Sequence, residues 1–484
     1  MKKLISFLAI GFPLFIMTAI FTVTCATRID SPRKHFLLLD DRVVEKMQNA
    51  KLFVGSVEKH AANPLFGEDK PWEMRFDNLY GNVIYDDHEK IYKCWYSPFI
   101  VDHSAQGMTL EERNNIKYPE GEGIIREMAI CYATSKDGLK WDKPDLGLVE
   151  YNGSKDNNIL WRGGEDEGEF LHGPHGTGIF KDDQDPNPAR RYKAIFKGDI
   201  ISVAFSEDGI RWDSATACPE ADVAGDTHNN AFWSPTLEKY IGITRSWGDA
   251  RGRQVARTES DDFIQWSKTE VVLEGLDDNL QTYAMPVFYY GGIYIGLLAV
   301  HNQKSDRVWT ELTWSPDTRV WKRVNPGTPL VPCSDEKLDY DYGCVYPCAY
   351  PVFLENEIRL YYGGSDYLHF GWRNGSFCLA TLRPDGFAGY EQESKDKTAI
   401  ITTTALDYYG QTVKITADVA KDGWVKVGIL NSDRKYISAA QIISHTVTNA
   451  ILDFPEEFSL NEIRLQFELS NARIYSFRLD DQTK

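Results

Sequence analysis

Acidic, imidazole, amide and aromatic side chains recur just ahead of the apolar, strand-like runs of this chain. They stand in Trp72-Glu73-Met74-Arg75-Phe76-Asp77-Asn78, in Glu169-Phe170-Leu171-His172-Gly173-Pro174-His175-Gly176 and in Asp226-Thr227-His228-Asn229-Asn230. They return in Asp278-Asn279-Leu280-Gln281-Thr282-Tyr283 and Asp339-Tyr340-Asp341-Tyr342. A further group follows the last hairpin, as Asp366-Tyr367-Leu368-His369-Phe370-Gly371-Trp372-Arg373. The mixture suits a sugar, because aromatic faces pack on C–H groups while polar groups bond hydroxyls. Breaking a glycosidic bond needs two carboxyl groups, one to protonate the leaving oxygen and one to attack or activate water. Asp77 is the first candidate, since the neighbouring Arg75 would hold it ionised as nucleophile or base. Asp226 or Glu169 would then be the acid. The substrate-binding candidates are Glu73, Arg75, Asn78, His172, His175, His228, Asn229, Tyr283, Asp341, Asp366, His369, Trp372 and Arg373. Singly, each carboxylate is equally suited to ordering a loop; the shared position of the set points to a site.

Metal is the alternative use of His172, His175 and His228. The spacing HGPH places two of these histidines on an irregular loop instead of one strand face, so hydroxyl binding is the expected role and no metal centre is expected. The run Asp182-Asp183-Gln184-Asp185 has the composition of a structural calcium loop, although most such runs are solvated turns. No Gly-rich phosphate loop follows a strand and opens a helix, so no nucleotide cofactor is expected.

Two repeats fix what must hold these residues. The first is a turn followed by an aromatic: SKDGLKW from Ser135, SEDGIRW from Ser206, SDDFIQW from Ser260, SPDTRVW from Ser315 and, loosely, RPDGFAGY from Arg383. Asp bonds its own backbone and Gly accepts positive φ, so each copy reverses the chain. The second is a strand–turn–strand element, as in NVIYDDHEKIYKCWYS from Asn82 and NAFWSPTLEKYIGITRS from Asn230. Further copies start near Thr177, Met285 and Tyr350. The two repeats keep phase, hairpin first, so each unit supplies about four antiparallel strands. The prediction is an all-β chain: a five-bladed β-propeller over residues 50–395, its inner strands starting at those five hairpins. After about Lys395 the rhythm stops, and alternating runs such as TVKITADV and IRLQFEL predict a small C-terminal β-sandwich over 396–484. Its expected role is to pack on the propeller, with sugar binding the alternative.

The 484 residues carry a net charge of −18, which argues against nucleic acid as a partner. Lys2 and Lys3 precede an apolar run from Leu4 to about Val23, and Thr24-Cys25-Ala26 follow. Residues 1–26 therefore read as a secretory signal, a lipoprotein signal with Cys25 lipidated, or an uncleaved anchor. The expected location is the periplasm, the cell surface or the medium, with membrane contact only through this segment. None of the other seven cysteines has zinc-ribbon spacing; Cys94 and Cys131 read as small buried apolar residues, and Cys344 and Cys348 stand close enough in sequence for a disulfide.

With five blades, a carboxylate ahead of the first inner strand and a C-terminal sandwich, the chain resembles the glycoside hydrolase superfamily of families 32, 43, 68 and 130. The domain order is most similar to family 32, and Tyr361-Tyr362-Gly363-Gly364-Ser365-Asp366 is similar to a YYG-x-x-D stretch of family 130. The resemblance implies an exported hydrolase acting on sugars, with Asp77 as the first-blade carboxylate. RFDNLYGN from Arg75 replaces the WMNDPNG-like motif of family 32, and the RDP and Glu-Cys motifs are absent, so the resemblance carries across no acid and argues against invertase activity. The expected function is thus an exported glycoside hydrolase that acts on the carbohydrate by paired carboxylates. Long polar inserts at Asp102–Glu127 and Gly163–Gly176 would wall its pocket, so that it cuts terminal sugars. A non-catalytic carbohydrate-binding propeller is the alternative from another class. A phosphorylase is a third reading, and would need a basic pocket drawn from Arg75, Arg126, Arg245 and Arg373.

Overall fold

Four of the five Asp turns have one geometry. In each, Oδ1 of the aspartate accepts the backbone N–H groups two and three residues on: Leu139 and Lys140 for Asp137, Ile210 and Arg211 for Asp208, Ile264 and Gln265 for Asp262, Arg319 and Val320 for Asp317. The preceding serine hydroxyl (Ser135, Ser206, Ser260, Ser315) donates to the same oxygen. These local bonds reverse the chain without tertiary help. The structure, a computed structural model, describes residues 33–102, 112, 126–163, 171–248, 252–455 and 459–481.

The strands pair into antiparallel four-stranded units. The first is Asn82–Asp86, Ile91–Tyr96, Arg126–Ser135 and Trp141–Asp142. The second is His175–Lys181, Tyr192–Lys197, Ile201–Ser206 and Thr216–Ala217. Asn230–Ser234, Lys239–Gly248, Gly252–Ser260 and Glu270–Leu273 form the third. The fourth runs Val287–Tyr290, Ile293–Asn302, Arg307–Ser315 and Lys322–Arg323. In the fifth, Cys344–Pro347, Ile358–Ser365 and Gly375–Leu382 are completed by Glu58–Lys59 from the start of the chain.

Leading strands of the first four units lie side by side, the leading strand of the fifth, Cys344–Pro347, meets Arg307–Ser315 of the fourth in parallel, and the ring closes where Asn82 bridges Ala349. Two asparagines clip neighbouring units together. Asn82 bonds Thr177 O and Ile179 N of the second, and Asn230 bonds Met285 O and Val287 N of the fourth. The approach is close: a Cβ on Gly178 would lie 2.0 Å from Asn229 O. Each turn aromatic packs against the preceding unit. Trp212 joins a core with Trp95 and Tyr132, Trp266 one with Phe180 and Phe205, and Trp321 one with Phe232 and Ile241. Trp141 meets Tyr361 and Phe377 of the fifth unit edge-on. The repeat is therefore the seal of a propeller, which excludes an ordinary sandwich over this region.

The fifth copy differs. Asp385 has φ +61 and is buried between the two parts of the molecule, where it meets Tyr290, His35 and Ser476. The outer position of the fifth unit is already filled by Glu58–Lys59, so the chain leaves the propeller here. Its next strand, Ala388–Gln392, pairs with Ala50–Val54 and, at Tyr390 and Glu391, with Glu462–Asp480. The C-terminal sheet is thus not built from 396–484 alone. It takes in His35–Leu37, Val44–Gln48 and Ala50–Val54, because the open edges of the late strands are covered by the earliest ones. Two 19-residue strands, Thr412–Leu430 and Glu462–Asp480, pair along their length with shifts at Thr416/Ala417 and Val419/Trp424. Both halves of each send alternate residues, such as Ile415, Val427, Phe467 and Phe477, into one core, so the bent sheet folds over itself as a sandwich. All seven described cysteines are free, Cys344 and Cys348 included.

Candidate functional site

The segment ahead of the first inner strand turns through an unusual backbone: Asp77, Leu79 and Tyr80 have φ of +53, +62 and +45. Three non-glycine residues in the left-handed region within four positions cost energy that the surroundings must repay, and such turns cluster at functional sites. Here the surroundings are charged. Asp77 Oδ1 accepts from Arg75 Nη2 at 2.7 Å and from Arg373 Nη2 at 2.6 Å. Arg373 also donates to Asn78 Oδ1 at 2.8 Å, and Asn78 Nδ2 donates to the hydroxyls of Tyr80 at 2.7 Å and Tyr283 at 3.0 Å. The Arg75 guanidinium lies over the Trp372 and Phe99 rings, and Nη1 approaches Asp102 at 3.5 Å, as does Arg126 Nε.

Asp226 joins the same network through Arg245, which stacks on Tyr283. His175 Nε2 lies 3.3 Å from its Oδ1 and Arg245 Nη1 3.2 Å from its Oδ2. Arg245 and Arg253 both stack on Tyr283, and His175 packs edge-on against Tyr80. The Asp226 side chain is 61% exposed, against 7% for His175 and 2% for Arg245. It is the open member of a buried polar ring.

Burial alone would raise the Asp77 carboxyl; Arg373, Arg75 and Arg126 outweigh it and hold the group below the ordinary range. The same contest, decided by Arg245, His175 and Arg253, lowers Asp226. Both are carboxylates at neutral pH. Burial lowers His175 and raises Tyr80 and Tyr283, so these three stay neutral.

The predicted residues divide clearly. Asp77, Arg75, Asn78, Tyr283, Trp372, Arg373, Asp226, His175 and His369 are brought together, the last through a 3.0 Å contact of Nε2 with the Tyr283 hydroxyl. Glu73 is not among them: it accepts from Asp69 N, Lys70 N, Lys143 Nζ and the Tyr96 hydroxyl inside the first unit. Asn229 is consumed by backbone, donating to carbonyls of His175, Gly176, Gly225 and Thr227. Asp341 is fully buried against Lys59 and Tyr362, where it ties the N-terminal strand to the fifth unit. His228 bonds Asn82 between inner strands, and burial pushes it down to about 3. Asp366 orders its own loop through Asn374 N and Nδ2. The strand holding His172 runs parallel to Arg126–Glu127. Glu169, most of the two inserts expected to wall the pocket, and residues 1–26 lie outside the described residues.

Sequence reasoning does not single out Tyr80, Arg253 or Asp102, and it offers Arg245 only as a phosphate ligand. For Arg245 a signal exists: an arginine inside the apolar strand run Lys239–Gly248 is a buried charge that needs a partner. Beside the site, His301, Asp306 and His369 form a second group. His301 Nε2 is 2.9 Å and His369 Nδ1 3.8 Å from Asp306 Oδ1.

No family model matches the chain, and no curated protein does. Among solved structures, an N-acetylgalactosamine deacetylase from F. plautii in complex with blood group B trisaccharide is similar at TM-score 0.44 and 14% identity, over 69% of this chain and 96% of that one. A beta-1,2-mannobiose phosphorylase from Listeria innocua is similar at TM-score 0.47 and 12% identity, over 68% and 96%. A glycosyl hydrolase from Bacteroides ovatus gives TM-score 0.44 and 15% identity, over 69% and 95%. Likeness at this level assigns no residue a role.

Proposed function

We propose that the protein is a carbohydrate-active enzyme that cleaves glycosidic bonds by hydrolysis, with Asp77 and Asp226 as its carboxylate pair. The observation that supports this reading is the meeting of two ionised aspartates from different units in one network of arginine, histidine and tyrosine. Asp77, fixed by two guanidinium groups, has one orientation and a standing negative charge, which suits a base or nucleophile. Asp226 is exposed before substrate enters. A sugar seated over it would remove that water and raise its affinity for a proton, which suits the acid. Asn78 orients the Tyr80 and Tyr283 hydroxyls, which suit bonding to a sugar. The segment 1–26 fits export of this enzyme to where glycans are met.

Phosphorolysis is the second reading, favoured by charge. Arg75, Arg126, Arg245, Arg253 and Arg373 act on Asp77 or Asp226, so five guanidinium groups face three carboxylates, with Asp102 the third. A phosphate dianion fits that excess. One experiment separates the readings: purified protein is incubated with a panel of plant, algal and host glycans, with and without inorganic phosphate. Free sugar without phosphate, abolished in Asp226→Asn, is the expected result. Sugar 1-phosphate formed only when phosphate is present would replace hydrolysis by phosphorolysis. No product on any glycan, with retained glycan binding, would leave a binding propeller.

A further inference from the structure

The fourth and fifth units bring two imidazoles and a carboxylate together outside the aspartate pair. His301 lies near the end of the strand Ile293–Asn302, Asp306 is in the turn that follows, and His369 comes from the loop between Ile358–Ser365 and Gly375–Leu382. Their facing atoms, two nitrogens and one oxygen, all lie within 4.8 Å of one another. Ligand atoms about 2.0–2.2 Å from a zinc ion are a little over ~3 Å apart when tetrahedral, so only small side-chain movements are needed. His301 is fully buried, and His369 is 7% exposed. The Nδ1 atom of His369 has no hydrogen-bond partner and faces Asp306 Oδ1. A buried imidazole nitrogen left in this way normally carries a cost, which a metal ion would remove.

We infer that His301 Nε2, Asp306 Oδ1 and His369 Nδ1 form a binding site for one divalent transition-metal ion, with zinc the expected occupant. Two imidazoles and one carboxylate with an open fourth position match that class of ion better than calcium or magnesium, which prefer oxygen alone. The groups behind the ligands hold them in place. His369 Nε2 meets the Tyr283 hydroxyl at 3.0 Å, and Asp306 Oδ2 accepts from Phe370 N at 2.8 Å. His301 Nδ1 is 2.7 Å from the Gln303 amide. With that amide turned over, its oxygen takes the Nδ1 proton and leaves Nε2 free to bind metal. Arg253 and Arg373 act on these imidazoles and oppose a dication, so micromolar affinity is expected instead of the tighter binding of a closed structural site. The ion would pin the loop that carries Arg373, four residues from His369, and through it the orientation of Asp77.

The test uses the full chain, free of any histidine tag and stripped with a chelator. Zinc chloride is titrated by calorimetry, and cobalt(II) is added to read ligand-field absorption. One ion per chain is expected, with a tetrahedral-type cobalt spectrum. Asp306→Asn, which keeps an acceptor for Phe370 N, and His369→Gln should each weaken zinc by at least about tenfold. Zinc should also raise the melting temperature of the parent protein, and at the same concentration raise that of each variant by less. The absence of saturable binding in the parent protein would overturn the site. So would unchanged binding in whichever of the two variants keeps the parent's circular dichroism.

Discussion

Glu68 offers a measurement of how tightly the ground beneath Asp77 is built. Its Oε1 accepts from Phe76 N at 2.6 Å and Gly375 N at 2.9 Å, joining the residue before Asp77 to the strand after Arg373. Burial is the main influence on this carboxyl and, despite those two bonds and Arg75, raises it from the ordinary 4.5 to about 8. A raised carboxyl keeps a proton in the folded state that the unfolded chain has released. Stability therefore falls as pH rises from about 4.5 to about 8 and is level above that. At about 1.36 kcal/mol per tenfold change in the proton equilibrium, the whole interval corresponds to roughly 5 kcal/mol, and the part above pH 6 to roughly 3 kcal/mol. Glu68→Gln keeps an oxygen for both N–H groups and does not titrate. The variant should be more stable than the parent by about 2 kcal/mol at pH 6, and the gap should widen by about 3 kcal/mol at pH 9. Urea denaturation followed by tryptophan fluorescence at a series of pH values reads this difference directly. A gap that is constant between pH 6 and 9, or that narrows, would refute the claim that Glu68 is held neutral by burial.

Four further outcomes are expected. Asp226→Asn should lower kcat by at least about 10³-fold while costing less stability than Asp77→Asn, because its side chain is exposed and it holds one buried arginine where Asp77 holds two; turnover and a melt of the same sample check both. Asp77→Asn should lower kcat similarly but also cost about 3–5 kcal/mol, since two buried arginines lose their counter-charge, and denaturation distinguishes it from Asp226→Asn. Because Asp77, the base or nucleophile, is held below the ordinary 3.8, the acidic limb of the rate profile should lie below about pH 4, while Asp226, as the acid, sets the basic limb; an acidic limb near neutrality would contradict the Asp77 assignment. Gly176→Ala should cost more than about 2 kcal/mol, read by chemical denaturation, as φ is +58 and a Cβ would lie 1.6 Å from Thr227 O.

What the sequence disclosed follows from the range of the forces involved. The Asp turns are legible because the side chains of Asp137, Asp208, Asp262 and Asp317 bond only their own neighbours, a local event written in a few residues. Asp385 has the same letters around it but answers to His35 and Ser476, both remote in the chain, and no local pattern reports that. The site behaves in the same way. Asp77 and Asp226 are candidates by their place ahead of inner strands, and Arg373 by the loop it shares with His369; the structure brings all three into one polar network. Asn229 and Asp341 occupy equivalent places yet are spent on backbone and on Lys59, because whether a polar group meets solvent or a neighbour is decided by packing. His301 and Asp306 were passed over for the opposite reason: they stand at the far end of a hairpin, and only His369, brought from the next unit, gives them meaning.

The earliest described strands of this chain are held by its last ones. His35 faces Arg478, Lys51 pairs with Glu391, and Thr381 lies beside Glu58. During synthesis the first segment must therefore wait for partners made almost a full chain length later, roughly 20–90 s at ordinary rates of translation. The ring can close once Gly375–Leu382 is made, because its outer partner Glu58–Lys59 is already present. The second sheet must wait for Glu462–Asp480, and until then His35–Leu37 lacks its partner. That dependence makes the last strand, Glu462–Asp480, the one whose loss would release both ends of the molecule at once.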